Sequence, residues 1–118
     1  MKRIVLVDDD PAIRKIYKLI LEQAGYEVTV CERGEPLLEA SVEEPDVYLI
    51  DKQLTGIDGL DLCRYVKQKS KKNVPVIIFS ASTRVEHLAR EAGADEFLEK
   101  PFSKNVLLEM LRKLLQEK

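Results

Sequence analysis

Five times along the chain, a short run rich in β-branched and aromatic residues gives way to a longer stretch with apolar residues at helical spacing. This alternation constrains the fold more than any other feature. Strand-helix units in series pack as parallel strands joined by right-handed crossovers, with helices on both faces. The runs Ile4-Val5-Leu6-Val7, Val47-Tyr48-Leu49-Ile50 and Val76-Ile77-Ile78-Phe79 are apolar throughout, as in strands covered on both sides. The expected fold class is therefore α/β, a doubly wound parallel sheet in three layers. Such sheets bind ligands outside the carboxyl ends of their strands.

The helical stretches carry start and stop signals. Asp10 caps and Pro11 opens a first helix in which apolar residues recur at Ile13, Ile16, Tyr17, Ile20, Leu21 and Ala24, closed by Gly25. Tyr26 to Val30 reads as an alternating strand, followed by a short helix from Pro36 to Glu43, with Pro45 breaking the chain before the Val47 strand. Asp58 caps a third helix, with Asp61 in its first turn and Leu62, Cys63 and Val66 inward. Pro75 is expected at the start of the fourth strand. Val85, Leu88, Ala89 and Ala92 form one face of a fourth helix ended by Gly93. Glu96-Phe97-Leu98 forms a fifth strand, and a last helix spans residues 103 to 116.

At 118 residues and 45% apolar content, residues 1–118 are read as one domain. A net charge of −2, from 19 basic and 21 acidic residues, gives no electrostatic basis for nucleic-acid or membrane-surface binding. No apolar run reaches the roughly 20 residues of a membrane span. Cys31 and Cys63 lack metal-ligand spacing and no secretory segment precedes the first strand, so a reduced, cytoplasmic protein with both thiols in the core is expected.

The chemistry concentrates where strands end. Asp8 and Asp9 follow the first strand and Asp51 closes the third. Like charges a few ångströms apart repel by a few kcal/mol even at an effective dielectric of about 20, so a cation must sit among them. Hard carboxylate oxygens suit Mg²⁺, which takes one or two carboxylates, waters and substrate phosphate. Ser80 and Lys100, at the ends of the fourth and fifth strands, offer a hydroxyl and an ammonium to a phosphoryl group. An aspartate can act as the nucleophile, forming an acyl phosphate, and an ionised carboxylate needs no general base. The one histidine, His87, falls on a helix away from these tips.

Four segments in order, Ile4 to Pro11, Leu49-Ile50-Asp51 with Asp58-Gly59, Phe79-Ser80-Ala81, and Gly93-Ala94-Asp95 leading into Lys100-Pro101-Phe102, closely resemble the receiver domain of two-component response regulators, chemotaxis regulators included. The resemblance spans essentially the whole chain. It implies a flavodoxin-like (βα)5 fold with strand order 2-1-3-4-5. It implies that Asp51 accepts a phosphoryl group from a histidine kinase or phosphotransfer protein. Asp9, Asp51 and the Gln53 backbone carbonyl would bind Mg²⁺, with Asp8 helping through water. Lys100, Ser80 and the Ala81 N–H would contact the phosphoryl oxygens, the Lys100-Pro101 bond would be cis, and Phe97 would be the aromatic switch. Partners would read the face made by the fourth helix, fifth strand and fifth helix; a phosphorylation-dependent dimer is a further possibility.

Thr55 stands where the family commonly has proline, Lys52 where it often has an apolar residue, and the Ser80 to Gly93 stretch is shorter than usual. Lys52 would add positive charge near the phosphoryl site, and Gln53 and Ser82 sit at positions that commonly tune acyl-phosphate lifetime in the family. Two other classes compete. A haloacid dehalogenase-type phosphatase would use Asp8 as nucleophile, and a pseudo-receiver would bind partners without phosphorylation. Leu107, Leu108, Leu111, Leu114 and Leu115 read as a wide core stripe or a dimer or partner surface, and Lys67 to Lys72 as a solvated helix end or a docking patch. A single-domain regulator and a receiver severed from an output domain are equally compatible with the sequence.

Overall fold

The computed structural model describes residues 1–39 and 42–116. Each strand-sized run forms a strand: β1 (Arg3–Val7), β2 (Glu27–Cys31), β3 (Val47–Asp51), β4 (Val76–Ser80) and β5 (Glu96–Glu99). They make one parallel sheet in the order β2-β1-β3-β4-β5. The connecting helices are α1 (Pro11–Gln23), α2 (Glu35–Leu38), α3 (Gly59–Lys69), α4 (Val85–Glu91) and α5 (Lys104–Leu114). This is the doubly wound parallel architecture expected from the alternation, in the flavodoxin-like strand order that the family resemblance implies.

The apolar strands split their side chains by parity between two cores. Val5, Val7, Tyr48, Ile50, Val76, Ile78 and Phe97 pack with Leu60, Leu62, Cys63 and Val66 of α3 and Ala89 of α4. Ile4, Leu6, Val47, Leu49, Ile77, Phe79 and Leu98 pack with Leu21 of α1 and with Leu107 and Leu111 of α5. Residues that alternate along a strand thus feed opposite layers, which is why no polar face interrupts these runs. Leu108, Leu114 and Leu115 also lie against the second core, so the leucine stripe of the last helix faces inward. Both thiols are buried and unpaired, and burial pushes Cys63 up to about 11. No helix among the described residues is long and apolar enough to cross a membrane.

The caps fall where the sequence places them. Asp10 accepts from Ala12 and Ile13 N–H, Asp58 from Leu60, and Ser103 from Val106. Three elements are shorter than expected, α3 among them: it ends at Lys69, before Lys71 and Lys72. The helix expected from Pro36 to Glu43 ends at Leu38; its four residues bury only Leu37, and Gly34 gives no side-chain cap, so little holds further turns in place. Ala40 and Ser41 of that stretch lie outside the described residues. The last helix ends at Leu114 rather than Gln116, which takes a left-handed φ of 54°.

Register sets the rim. Val7 pairs with Ile50, so the next residues, Asp8 and Asp51, stand side by side. Asp51 pairs with Phe79, and Ser80 with Glu99, which puts Ser80 and Lys100 one step beyond those pairs on the same rim.

Candidate metal and phosphoacceptor site

Asp8, Asp9 and Asp51 converge there: each offers a carboxylate oxygen within 4.8 Å of the others. Asp8 has no exposed surface and Asp51 only 4%. Lys100 Nζ lies 3.0 Å from Asp51 Oδ2 and 3.5 Å from Asp8 Oδ2. The Asp10 N–H donates to Asp8 Oδ1 (2.9 Å) and the Gln53 N–H to Asp51 Oδ1 (3.1 Å). Among the described residues the rim therefore gathers three acids around one ammonium, a donor set that could hold a further cation.

That imbalance governs protonation. Burial pushes the Asp8 carboxyl above its ordinary range and the Asp51 charge adds to this, while the Asp10 N–H and Lys100 pull the other way. For Lys100, burial disfavours the charged form, but the hydrogen bond and charge of Asp51, joined by Asp8, outweigh it and the net direction is upward. Lys100 is thus held as an ammonium, the form that can neutralise an anion at the site.

The remaining expected residues take their places at or behind the rim. Ser80 is buried at the end of β4, where its Oγ accepts from the Ser82 N–H (3.2 Å), and Ala81 follows at the surface. Phe97 is 9% exposed and lies in the core beneath α3 and α4, in an inward position. Lys100-Pro101 is cis. Lys52 turns to Asp58 Oδ1 (3.3 Å), so its charge is spent at the start of α3.

The roles of several residues escaped the sequence reading. Thr55, noticed only as a departure, donates through Oγ1 to Asp9 Oδ2 (3.1 Å) across 46 residues of chain. Arg14 Nη1 donates to the Asp8 carbonyl (2.7 Å), tying α1 to the rim. Gly59 packs against the acceptor's backbone: a Cβ there would stand 2.2 Å from the Asp51 carbonyl oxygen and 2.7 Å from Lys52 Cα. Behind Lys100, Tyr17, Phe79 and Phe102 form a ring cluster, with the ammonium 5.0 Å from the Phe79 centroid. The one sequence signal for that cluster was adjacency, since Phe79 precedes Ser80 and Phe102 follows Lys100-Pro101.

Comparison with known proteins agrees with this geometry. The family model described as response regulator receiver domain matches residues 4–112. The transcriptional regulatory protein CseB of Streptomyces coelicolor is 39% identical over 116 residues, covering 96% of this chain and 49% of its own. The DNA-binding response regulator MtrA of Mycolicibacterium smegmatis is 34% identical, covering 98% of this chain and 51% of its own. The chain spans about half the length of these curated relatives. Among solved structures, a CheY-like receiver domain protein from Methanospirillum hungatei superposes with a TM-score of 0.89 at 32% identity, covering 99% of this chain and 95% of that one. The response regulator TrrA of Thermotoga maritima, in complex with Mg²⁺ and a beryllium fluoride, gives 0.87 at 35% identity over 97% and 99% of the two chains. With an acid trio and a lysine gathered at the rim of a 2-1-3-4-5 sheet, and with matches along nearly its whole length, the chain belongs to the response regulator receiver domain family.

Proposed function

We propose that this chain is a Mg²⁺-dependent phosphoacceptor switch in which Asp51 takes a phosphoryl group from a histidine kinase or a histidine phosphotransfer protein. The observation that carries this reading is the convergence of Asp8, Asp9 and Asp51 within 4.8 Å, with Lys100 Nζ 3.0 Å from Asp51. Three hard oxygen donors fit Mg²⁺, to be held by Asp8, Asp9, Asp51 and the Gln53 carbonyl. Bound there, the ion supplies charge neutralisation for the carboxylates and the incoming phosphoryl oxygens.

The chain's own groups do the rest. A carboxylate oxygen of Asp51 forms the bond to phosphorus as the P–N bond of the donor's phosphohistidine breaks and the imidazole leaves with the electron pair, while Lys100, the Ser80 hydroxyl and the Ala81 N–H receive the charged equatorial oxygens. To reach that group, the Ser80 hydroxyl gives up its bond from Ser82, and this rearrangement biases the packing around Phe97 and the α4-β5-α5 face. On that face a groove of about 560 Å³ is lined by Glu96, Asn105, Val106, Glu109, Met110 and Lys113, and Leu88 and Val106 are exposed. A downstream effector, an output domain or a second copy reads it. The protein works in the cytoplasm, assists its own phosphorylation and dephosphorylation, and is not a turnover enzyme for an external substrate.

Asp8 has no exposed surface and its oxygens are engaged by Asp10 and Lys100, which disfavours it as a phosphatase nucleophile. Incubation with Mg²⁺ and either acetyl phosphate or p-nitrophenyl phosphate separates the two readings. The switch reading expects stoichiometric labelling that is absent in Asp51→Asn. Rapid multiple turnover of the aryl phosphate, retained in Asp51→Asn and lost in Asp8→Asn, contradicts it. No acyl phosphate with any donor, together with unchanged partner binding, favours the pseudo-receiver.

A further inference from the structure

Besides the carboxylates of Asp51 and Asp8, the Lys100 ammonium has an uncharged partner, the Phe79 ring, whose centroid lies 5.0 Å away. Phe79 is the last residue of β4 before Ser80, is 1% exposed, and belongs to the core layer beneath α1 and α5. Two further rings fix its orientation. Tyr17 from α1 meets it edge-on at 6.2 Å and 89°, and Phe102 meets it at 5.9 Å and 70°. Tyr17 and Phe102 stack on each other at 5.1 Å. One strand, one helix and the turn after β5 thus contribute a ring each, and packing leaves Phe79 little freedom to tilt away.

A ring face attracts an ammonium through its quadrupole, more strongly where water is excluded, and the strength follows the electron density of the ring. Lys100 is a flexible four-carbon side chain tipped by a point charge, so something must keep its ammonium at the rim during transfer. We propose that Phe79 is a positioning residue for Lys100. Its π face, braced by Tyr17 and Phe102, retains the ammonium while the negative charge it serves moves from the Asp51 carboxylate to the phosphoryl oxygens. This rests on the phosphoacceptor reading of Asp51. In the test reaction a carboxylate oxygen of Asp51 bonds to phosphorus as the P–O bond of acetyl phosphate breaks, and acetate leaves with the electron pair. The charge on the equatorial oxygens is what Lys100 must meet.

The test replaces Phe79 by leucine and by phenylalanines bearing one, two or three ring fluorines, which keep the shape while draining the ring. Two properties are read. In the metal-free protein, the ring current of Phe79 shifts the Lys100 ε-methylene protons upfield, and Phe79→Leu removes the shift. With Mg²⁺ and acetyl phosphate, the labelling rate falls stepwise with each fluorine and about three- to fivefold in Phe79→Leu, in the lower range of a cation-π contact. A wild-type spectrum without the upfield shift overturns the proposal. So does a labelling rate that is flat across the fluorine series, which makes Phe79 a core filler only. A wild-type chain that takes no phosphoryl group at position 51 overturns the phosphoacceptor reading, and this inference with it; a labelled wild type with a flat series overturns this inference alone.

Discussion

Asp8 is buried without exposed surface beside a second carboxylate, and among the described residues Lys100 and the Asp10 N–H offset its charge. Its raised carboxyl sets the sign of a pH effect. In the metal-free protein the folded state holds a proton that the unfolded chain has released, so this group's contribution falls as pH rises from the ordinary carboxylate range through its folded value. Lys100 acts at the other end: its contribution is complete below the ordinary lysine value and is lost as pH rises through the raised one. Asp8→Asn should therefore stabilise the metal-free protein at neutral pH, on the order of 1 kcal/mol, and flatten the fall on its acid side, while weakening Mg²⁺ binding. Urea denaturation across pH, with and without Mg²⁺, checks both effects. The acids, Ser80 and Lys100 were legible because each closes a strand. Thr55 was not, since its bond to Asp9 joins residues 46 apart and no local pattern encodes it.

At the scale of elements, the start of α3 decides how closely the acceptor loop closes. Gly59 N–H donates to the Lys52 carbonyl (3.1 Å), and the space a Cβ would need is taken by the backbone of Asp51 and Lys52. Gly59→Ala should cost about 3 kcal/mol, as overpacking does, and slow labelling of Asp51 by displacing its backbone. Asp58→Ala, which removes the cap and adds no volume, should cost about 1 kcal/mol and also free Lys52 from its ion pair. Equilibrium denaturation of both variants, paired with labelling rates, tests the difference; equal effects on labelling would contradict it. Elements with both a cap and a buried face, such as α1 and α3, were readable from spacing. The extent of α2 was not, because a four-residue helix with one buried side chain depends on what packs against it rather than on its own periodicity.

For the whole molecule, alternation of strand and helix was enough to give the layers and the parallel sheet. The order 2-1-3-4-5 came from the resemblance, because spacing alone does not say on which side of β1 the chain continues. The position of Phe97 was legible as a strand aromatic, but its inward orientation comes from the tertiary packing of α3 and α4. A ligand that binds only the folded state adds stability by mass action, so Mg²⁺ at a hundredfold its Kd should add about 2.7 kcal/mol. Thermal melts should show that gain in the wild type, and show it abolished by a chelator and greatly reduced in Asp9→Asn.

The most direct measurement traps the acyl phosphate itself. After incubation with Mg²⁺ and acetyl phosphate, borohydride reduces an aspartyl phosphate to homoserine, which peptide mass spectrometry locates. The account predicts homoserine at position 51 alone, dependent on Mg²⁺ and absent in Lys100→Ala or greatly diminished. Homoserine at position 8, or none at position 51 with acetyl phosphate or with a kinase bearing phosphohistidine as donor, would contradict it.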